Sequence, residues 1–120
     1  MDTVRYFKLK NTGAFVARIK VEYKARHADS SGNISYDAEW KSWDPSGYHD
    51  ICASAERTVD LCKDANLPEG SQVRLKAVVV AGSDKTSSDH YIYQSTSPNT
   101  AVYKIKGATF SNSLVLLSFG

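Results

Sequence analysis

Apolar and polar positions alternate along most of this chain, and the alternation sets its elements. From Phe15 onward, Phe15, Ala17, Ile19, Val21 and Tyr23 are apolar, while Arg18, Lys20, Glu22 and Lys24 fall between them. Successive side chains of a strand point to opposite faces, so this segment reads as a strand with one buried and one wet face. A helix would set Arg18 and Glu22 beside Phe15 and Ile19 and leave Ala17 and Val21 on the other side. The pattern returns in Ile34, Tyr36, Ala38 and Trp40 against Ser35, Asp37, Glu39 and Lys41, which places Trp40 on the core face. It returns again in Val73, Leu75, Ala77 and Val79 against Gln72, Arg74 and Lys76, and in Ala101, Tyr103 and Ile105 against Thr100, Lys104 and Lys106.

Weaker strands are predicted over 5–10, 51–53, 58–61, 90–94 and 114–119. The last, from Leu114 to Phe119, is apolar on both faces. That predicts either a central strand buried on two sides or a contact with a partner, including a homo-oligomer. Turn-forming residues separate most of the runs, as in Asn11-Thr12-Gly13, Asp29 to Asn33, Asp44-Pro45-Ser46-Gly47, Pro68-Glu69-Gly70, Gly82-Ser83-Asp84 and Ser97-Pro98-Asn99. A short helical turn fits within 62–66. The spacing predicts an all-β chain: one antiparallel β-sandwich domain over 1–120, with about eight or nine short strands.

The first turn fixes an expected register. A two-residue turn at Thr12-Gly13 would put Lys8 and Lys10 on the core face. A three-residue loop, Asn11-Thr12-Gly13, instead pairs Leu9 with Phe15 and Phe7 with Ala17, so the apolar residues face inward.

Composition adds bounds. At 120 residues and 13.2 kDa, with 42% apolar and 23% charged positions, the chain has the size and make-up of one folded domain. No basic stretch followed by an apolar run opens it, so it reads as made in the cytosol or as a mature form, and its apolar runs are too short to span a bilayer as helices. Cys52 and Cys62 are the only cysteines. Their spacing suits neither a CxxC motif nor a four-ligand zinc site, which leaves two free thiols or one cross-strand disulfide.

The net charge of +2 hides a separation. Residues 1–24 hold six Lys/Arg against two Asp/Glu, residues 25–69 four against nine, and residues 70–120 five against two. The outward strand positions carry Lys8, Lys10, Arg18, Lys20, Lys24, Arg74, Lys76, Lys104 and Lys106. If those strands share a sheet, they form a basic face able to contact anions. Lysines on exposed strand positions also serve solubility and edge protection. No nucleic-acid-binding pattern accompanies them, so nucleic acid is not an expected partner.

Catalytic signals are thin. His27, His49 and His90 are dispersed, without metal-ligand spacing, and no nucleophile or phosphate-loop motif is present, so neither an enzyme nor a metal or cofactor is expected. The richest stretch is the acidic, aromatic segment 40–50. There Trp43, Asp44, Tyr48, His49 and Asp50 fall in or beside a Pro/Gly loop. Aromatic rings cover apolar sugar faces while carboxylates accept bonds from hydroxyls, so these residues suit carbohydrate. Trp and Tyr in a loop equally suit a lipid headgroup layer, and Trp43 could instead fold back as a lid on the sandwich. The expectation is a non-enzymatic, lectin-like recognition module using this loop. A lipid-binding or pore-forming protein, aided by the basic positions, is the alternative, and a structural or partner-binding subunit is the third reading.

Overall fold

The computed structural model describes residues 1–47 and 50–120; Tyr48 and His49 lie outside the described residues. Every regular element among them is a strand. In chain order these are β1 (Thr3–Val4), β2 (Tyr6–Asn11), β3 (Ala17–Lys24), β4 (Arg26–Ala28), β5 (Ile34–Tyr36), β6 (Lys41–Trp43), β7 (Asp50–Ile51) and β8 (Glu56–Asp60). There follow β9 (Gln72–Val79), β10 (Lys85–Thr86), β11 (Tyr91–Tyr93), β12 (Thr100–Ala108) and β13 (Ser111–Phe119). A seven-stranded sheet has the order β1-β11-β9-β3-β6, with β10 also pairing β9 and β7 pairing β3. A four-stranded sheet has the order β13-β12-β2-β8, and β4 with β5 forms a separate two-stranded ribbon.

The alternation builds the core as expected. Ala17, Ile19 and Val21 of β3 and Val73, Leu75, Ala77 and Val79 of β9 face Phe7 and Leu9 of β2 and Ala101, Tyr103 and Ile105 of β12. Burying one such Leu, Ile or Phe side chain is worth about 1.5–3 kcal/mol, which is why the two inner faces close on each other. Tyr91 of β11 and Tyr103 of β12 pack between the two sheets. The Tyr91 and Tyr103 hydroxyls share a buried hydrogen bond of 2.8 Å, and Phe119 stacks on Tyr91. Burial pushes both phenols above their ordinary pKa.

Five expectations change. First, β2 and β3 do not form a hairpin. β2 lies in the four-stranded sheet, parallel to β12 and antiparallel to β8, so the sheets are mixed rather than purely antiparallel. Alternation fixes which residues face inward, and that condition is met equally when two strands lie in opposed sheets. Asn11 decides between them. It is fully buried, its Nδ2 donates to the Phe15 carbonyl (2.7 Å) and the Ile51 carbonyl (2.9 Å), and its Oδ1 accepts from the Gly13 N–H (3.0 Å). These bonds turn the chain from one sheet to the other. At the opposite end of β2, Arg5 makes the corresponding switch with a two-pronged bond to Asp60 (3.0 and 2.9 Å).

Second, the run 34–40 does not face the core. The β4–β5 ribbon continues from β3 beyond the end of the sandwich, where no second sheet covers it, so Ile34 and Tyr36 are exposed. Trp40 lies on the outer face of the seven-stranded sheet instead. Its ring sits 4.0 Å from the Arg74 guanidinium carbon and 4.9 Å from Lys24 Nζ, with His90 edge-on at 5.1 Å. Third, β13 is not a central strand; it is the outer edge of the four-stranded sheet. Fourth, the strands are more numerous than expected, because several edge segments pair in pieces of two or three residues, while β12 and β13 run longer, at nine residues each. Fifth, the basic positions do not share one face, as described below.

The turn at 62–66 contains one helix-type bond, from the Asn66 N–H to the Cys62 carbonyl (3.2 Å), and both cysteines are free.

Asp37 braces the base of the ribbon. Its carboxylate lies 2.6 Å from His27 Nε2, accepts the Ala25 N–H at 2.9 Å and reaches Lys41 Nζ at 3.4 Å. Bonding to His27 first, then to the Ala25 N–H, holds its pKa down from the usual 3.8 to about 2. A carboxyl depressed in the folded state contributes stability above its unfolded pKa and loses it as pH falls through the folded one. The expected result is that amide protection in the ribbon drops between pH 3.8 and about 2. Asp37→Asn should abolish that response, and hydrogen exchange read by NMR checks both.

Candidate functional site

The acidic, aromatic loop comes out at an edge of the sandwich. Trp43 ends β6 opposite Val21 and is half-buried, packed against the core. Asp44 is exposed and lies 3.6 Å from Lys20 Nζ; Asp50 on β7 accepts from Arg18 Nε at 2.6 Å. Tyr48 and His49, the other two residues of the expected constellation, lie outside the described residues. The two carboxylates are thus turned toward cations of β3. Beside Trp43 a cleft of about 380 Å³, lined also by Pro45, Ser46, Arg57, Lys63 and Asp64, crosses from one sheet edge to the other.

The basic positions divide between two opposite faces. Lys8, Lys10, Lys104 and Lys106 lie on the outer face of the four-stranded sheet, while Arg18, Lys20, Lys24, Arg74 and Lys76 lie on that of the seven-stranded sheet. Many are matched by acids. Lys8 and Lys10 meet Glu56 (2.9 and 3.7 Å), and Arg74 meets Glu22 (2.8 Å). Lys76, Lys104 and Lys106 have no ion pair among the described residues. Each pair is partly exposed and contributes little to stability. Together the pairs remove the continuous basic stripe.

A different surface emerges at the end of the sandwich opposite the β4–β5 ribbon, where four connections meet: residues 12–16, 52–55, 80–83 and 108–111. Backbone bonds tie them into one cap. The Thr12 N–H donates to the Ile105 carbonyl (2.9 Å), Ala14 to Gly107 (3.1 Å), Ser54 to Asn11 (2.7 Å), Val80 to Val16 (3.0 Å) and Ser83 to Thr109 (3.0 Å). Asn112 Nδ2 adds a bond to the Ser83 carbonyl at 2.9 Å. Residues 12–16, 52–55, 80–83 and 108–111 carry no charge; Asp84, which closes the third connection before β10, is exposed and accepts the Val79 N–H at 2.9 Å. Phe110 projects from the β12–β13 turn 76% exposed, and Val80 is exposed on the loop that bonds to that turn through Ser83 and Thr109. Two non-glycine residues of the cap, Ser54 (φ 71°) and Ala81 (φ 58°), hold left-handed backbone. Such strain costs about 1–3 kcal/mol per residue and gathers where the fold presents a site.

Sequence reasoning missed this cap because its parts lie far apart along the chain. A signal was present nonetheless. The turns at 29–33, 44–47 and 68–70 each carry an acid, whereas 12–16, 52–55 and 108–111 carry no charge at all, and the connection after β9 carries one only at its last residue, Asp84.

No family model matches the chain, and no curated protein matches it in sequence. In shape it is similar to part of listeriolysin O, with a TM-score of 0.51 and 15% identity over 94% of this chain and 22% of that one. Similar structures include the membrane-binding domain of pneumolysin (TM-score 0.48, 16% identity, 95% of this chain and 96% of that one). Another is the cytotoxin suilysin of Streptococcus suis (TM-score 0.46, 16% identity, 95% of this chain and 23% of that one). The chain therefore spans less than a quarter of the whole toxins. The likeness to listeriolysin O establishes the fold: an all-β domain of that class.

Proposed function

We propose that this chain is a membrane-binding module that meets a lipid surface with its cap. The observation that carries the reading is the convergence of four connections that carry a single charge, Asp84, and expose Phe110 and Val80. Apolar side chains presented on an end that carries little charge are what an interface of headgroups and acyl chains accepts. Lys85 and Lys106 border the cap and Asp84 offsets one of them, leaving a net attraction for anionic lipid of about 1 kcal/mol near the surface. The pneumolysin domain with a similar shape is itself named for membrane binding. For this chain, the loop end is the support. The cleft beside Trp43 favours carbohydrate as a second reading, since it combines a half-buried indole with Arg57 and Asp64.

Sedimentation with glycan-free vesicles separates the two. The vesicles are made of zwitterionic phospholipid, with and without sterol and with and without anionic lipid. The protein is expected in the pellet with at least one composition, and Phe110→Asp is expected to weaken that binding about tenfold, or roughly 1.4 kcal/mol. Wild-type protein that stays in the supernatant with every composition, or a Phe110→Asp variant that pellets unchanged, would overturn the membrane reading. A carbohydrate binder working through Trp43 stays in the supernatant throughout.

A further inference from the structure

The strand β13 runs along the sandwich as the outermost strand of its sheet, with β12 on one side and no strand on the other. Its residues, Ser111-Asn112-Ser113-Leu114-Val115-Leu116-Leu117-Ser118-Phe119, include no charge and no proline. Leu116 and Leu117 are 39% and 44% exposed. Proteins protect open edges with charge, proline, short length or a bulge. Here only the bulge is present, at Leu117, where the pairing with β12 slips between Val102 and Tyr103.

The other edges differ. β6 carries Lys41, β8 carries Glu56, Arg57 and Asp60, and β1 is two residues long. Among the described strands, the edge that matches β13 in length and neutrality is another β13. We propose that two copies of this chain pair β13 against β13, antiparallel about a two-fold axis, joining their four-stranded sheets into one.

Side-chain register supports the pairing. Leu114 and Leu116 lie opposite Ile105 and Tyr103 of β12, so both point to the core side of the sheet. Opposed residues of an antiparallel pair share a face, and a two-fold interface repeats each contact in reverse. A register centred on Leu114 stays within the regular stretch before the bulge. It sets Leu114 against its own copy and Leu116 against Asn112 of the second copy, with Val115 against Ser113 on the outer face. Charge is compatible as well. Lys104 and Lys106 stand one strand back, so the two lysine rows would be three strand spacings apart, roughly 14 Å, beyond the ~8 Å screening length of physiological salt. A β13–β8 contact would instead lay the apolar edge along Glu56, Arg57 and Asp60.

The test needs no membrane, so it stands apart from the lipid reading. Analytical ultracentrifugation of the full chain, from low to high micromolar concentration, should show a monomer–dimer equilibrium. Leu116→Lys and, separately, Ser113→Lys should each shift it to monomer while thermal unfolding, measured alongside, confirms a folded chain. Ser113 is exposed, so its variant serves if Leu116→Lys fails to fold. A wild-type chain that is monomeric at every concentration overturns the proposal, as does a dimer that survives substitution in a folded variant.

Discussion

Asn11→Ala is expected to cost about 3 kcal/mol of folding stability, the largest effect of any single polar substitution in the core. The side chain is fully buried and serves three backbone groups at once: the carbonyls of Phe15 and Ile51 and the N–H of Gly13. Truncation leaves each without a partner at the corner where the chain changes sheets. An unsatisfied buried group costs about 1–3 kcal/mol, and partial entry of water reduces the sum. In urea, where small domains respond with slopes of about 1–3 kcal/mol per molar, the midpoint should fall by more than 1 M, roughly. Thr12→Ala next door removes one partly exposed bond, from Oγ1 to the Ile105 carbonyl at 3.2 Å, and should cost about 1 kcal/mol or less. Equal midpoints for Asn11→Ala and Thr12→Ala would show that Asn11 does not hold the corner.

Gly82→Ala should act on the cap more than on the fold. A Cβ at Gly82 would lie 2.2 Å from the Thr109 carbonyl oxygen and 2.6 Å from Thr109 Cγ2. The nearest atom is backbone, so the two loops must separate, and the Ser83 to Thr109 bond goes with them. Overpacking of this kind costs about 1–3 kcal/mol. The loop that carries Val80 and the turn that carries Phe110, linked by that bond, no longer hold one arrangement, and vesicle binding should fall by about tenfold, a 1.4 kcal/mol effect. Gly32→Ala is the matched control. Gly32 sits in the β4–β5 turn at φ +83°, with nothing within 4 Å of a new Cβ. Its substitution costs stability through backbone strain, roughly 1 kcal/mol, at the end remote from the cap. If both variants lose vesicle binding alike, general destabilisation rather than the cap is responsible.

What could be read in advance was parity. Ile19 against Lys20 and Leu75 against Arg74 show which side faces in, and the buried residues of β3, β9 and β12 follow from that alone. Parity is blind to which strands are neighbours, so the β2–β3 hairpin and the β2–β12 pairing looked the same until Asn11 was seen to be buried. It is equally blind to whether a facing sheet exists. Ile34 and Tyr36 alternate as well as any core strand, yet they lie on a ribbon with nothing above it. The run of four apolar residues from Leu114 was ambiguous because a strand buried on both faces and an edge open to a partner carry the same composition. Of the expected loop constellation, Trp43, Asp44 and Asp50 come to one edge, but the carboxylates answer Lys20 and Arg18. The cap required tertiary structure, since its four pieces are separated by 24 or more residues of chain in each case.

The molecule is long, about 51 Å by 27 Å by 26 Å, and β3 runs from the cap toward the β4–β5 ribbon at the far pole. A charged lipid surface is felt through salt water over roughly 8–10 Å. With the cap on a bilayer, the ribbon and its Asp37–His27 brace stand several such lengths away, in bulk solution. Whatever meets Ile34 and Tyr36 there does so under the pH and salt of the medium, not under those of the membrane. The two poles are electrically independent instruments on one rigid rod.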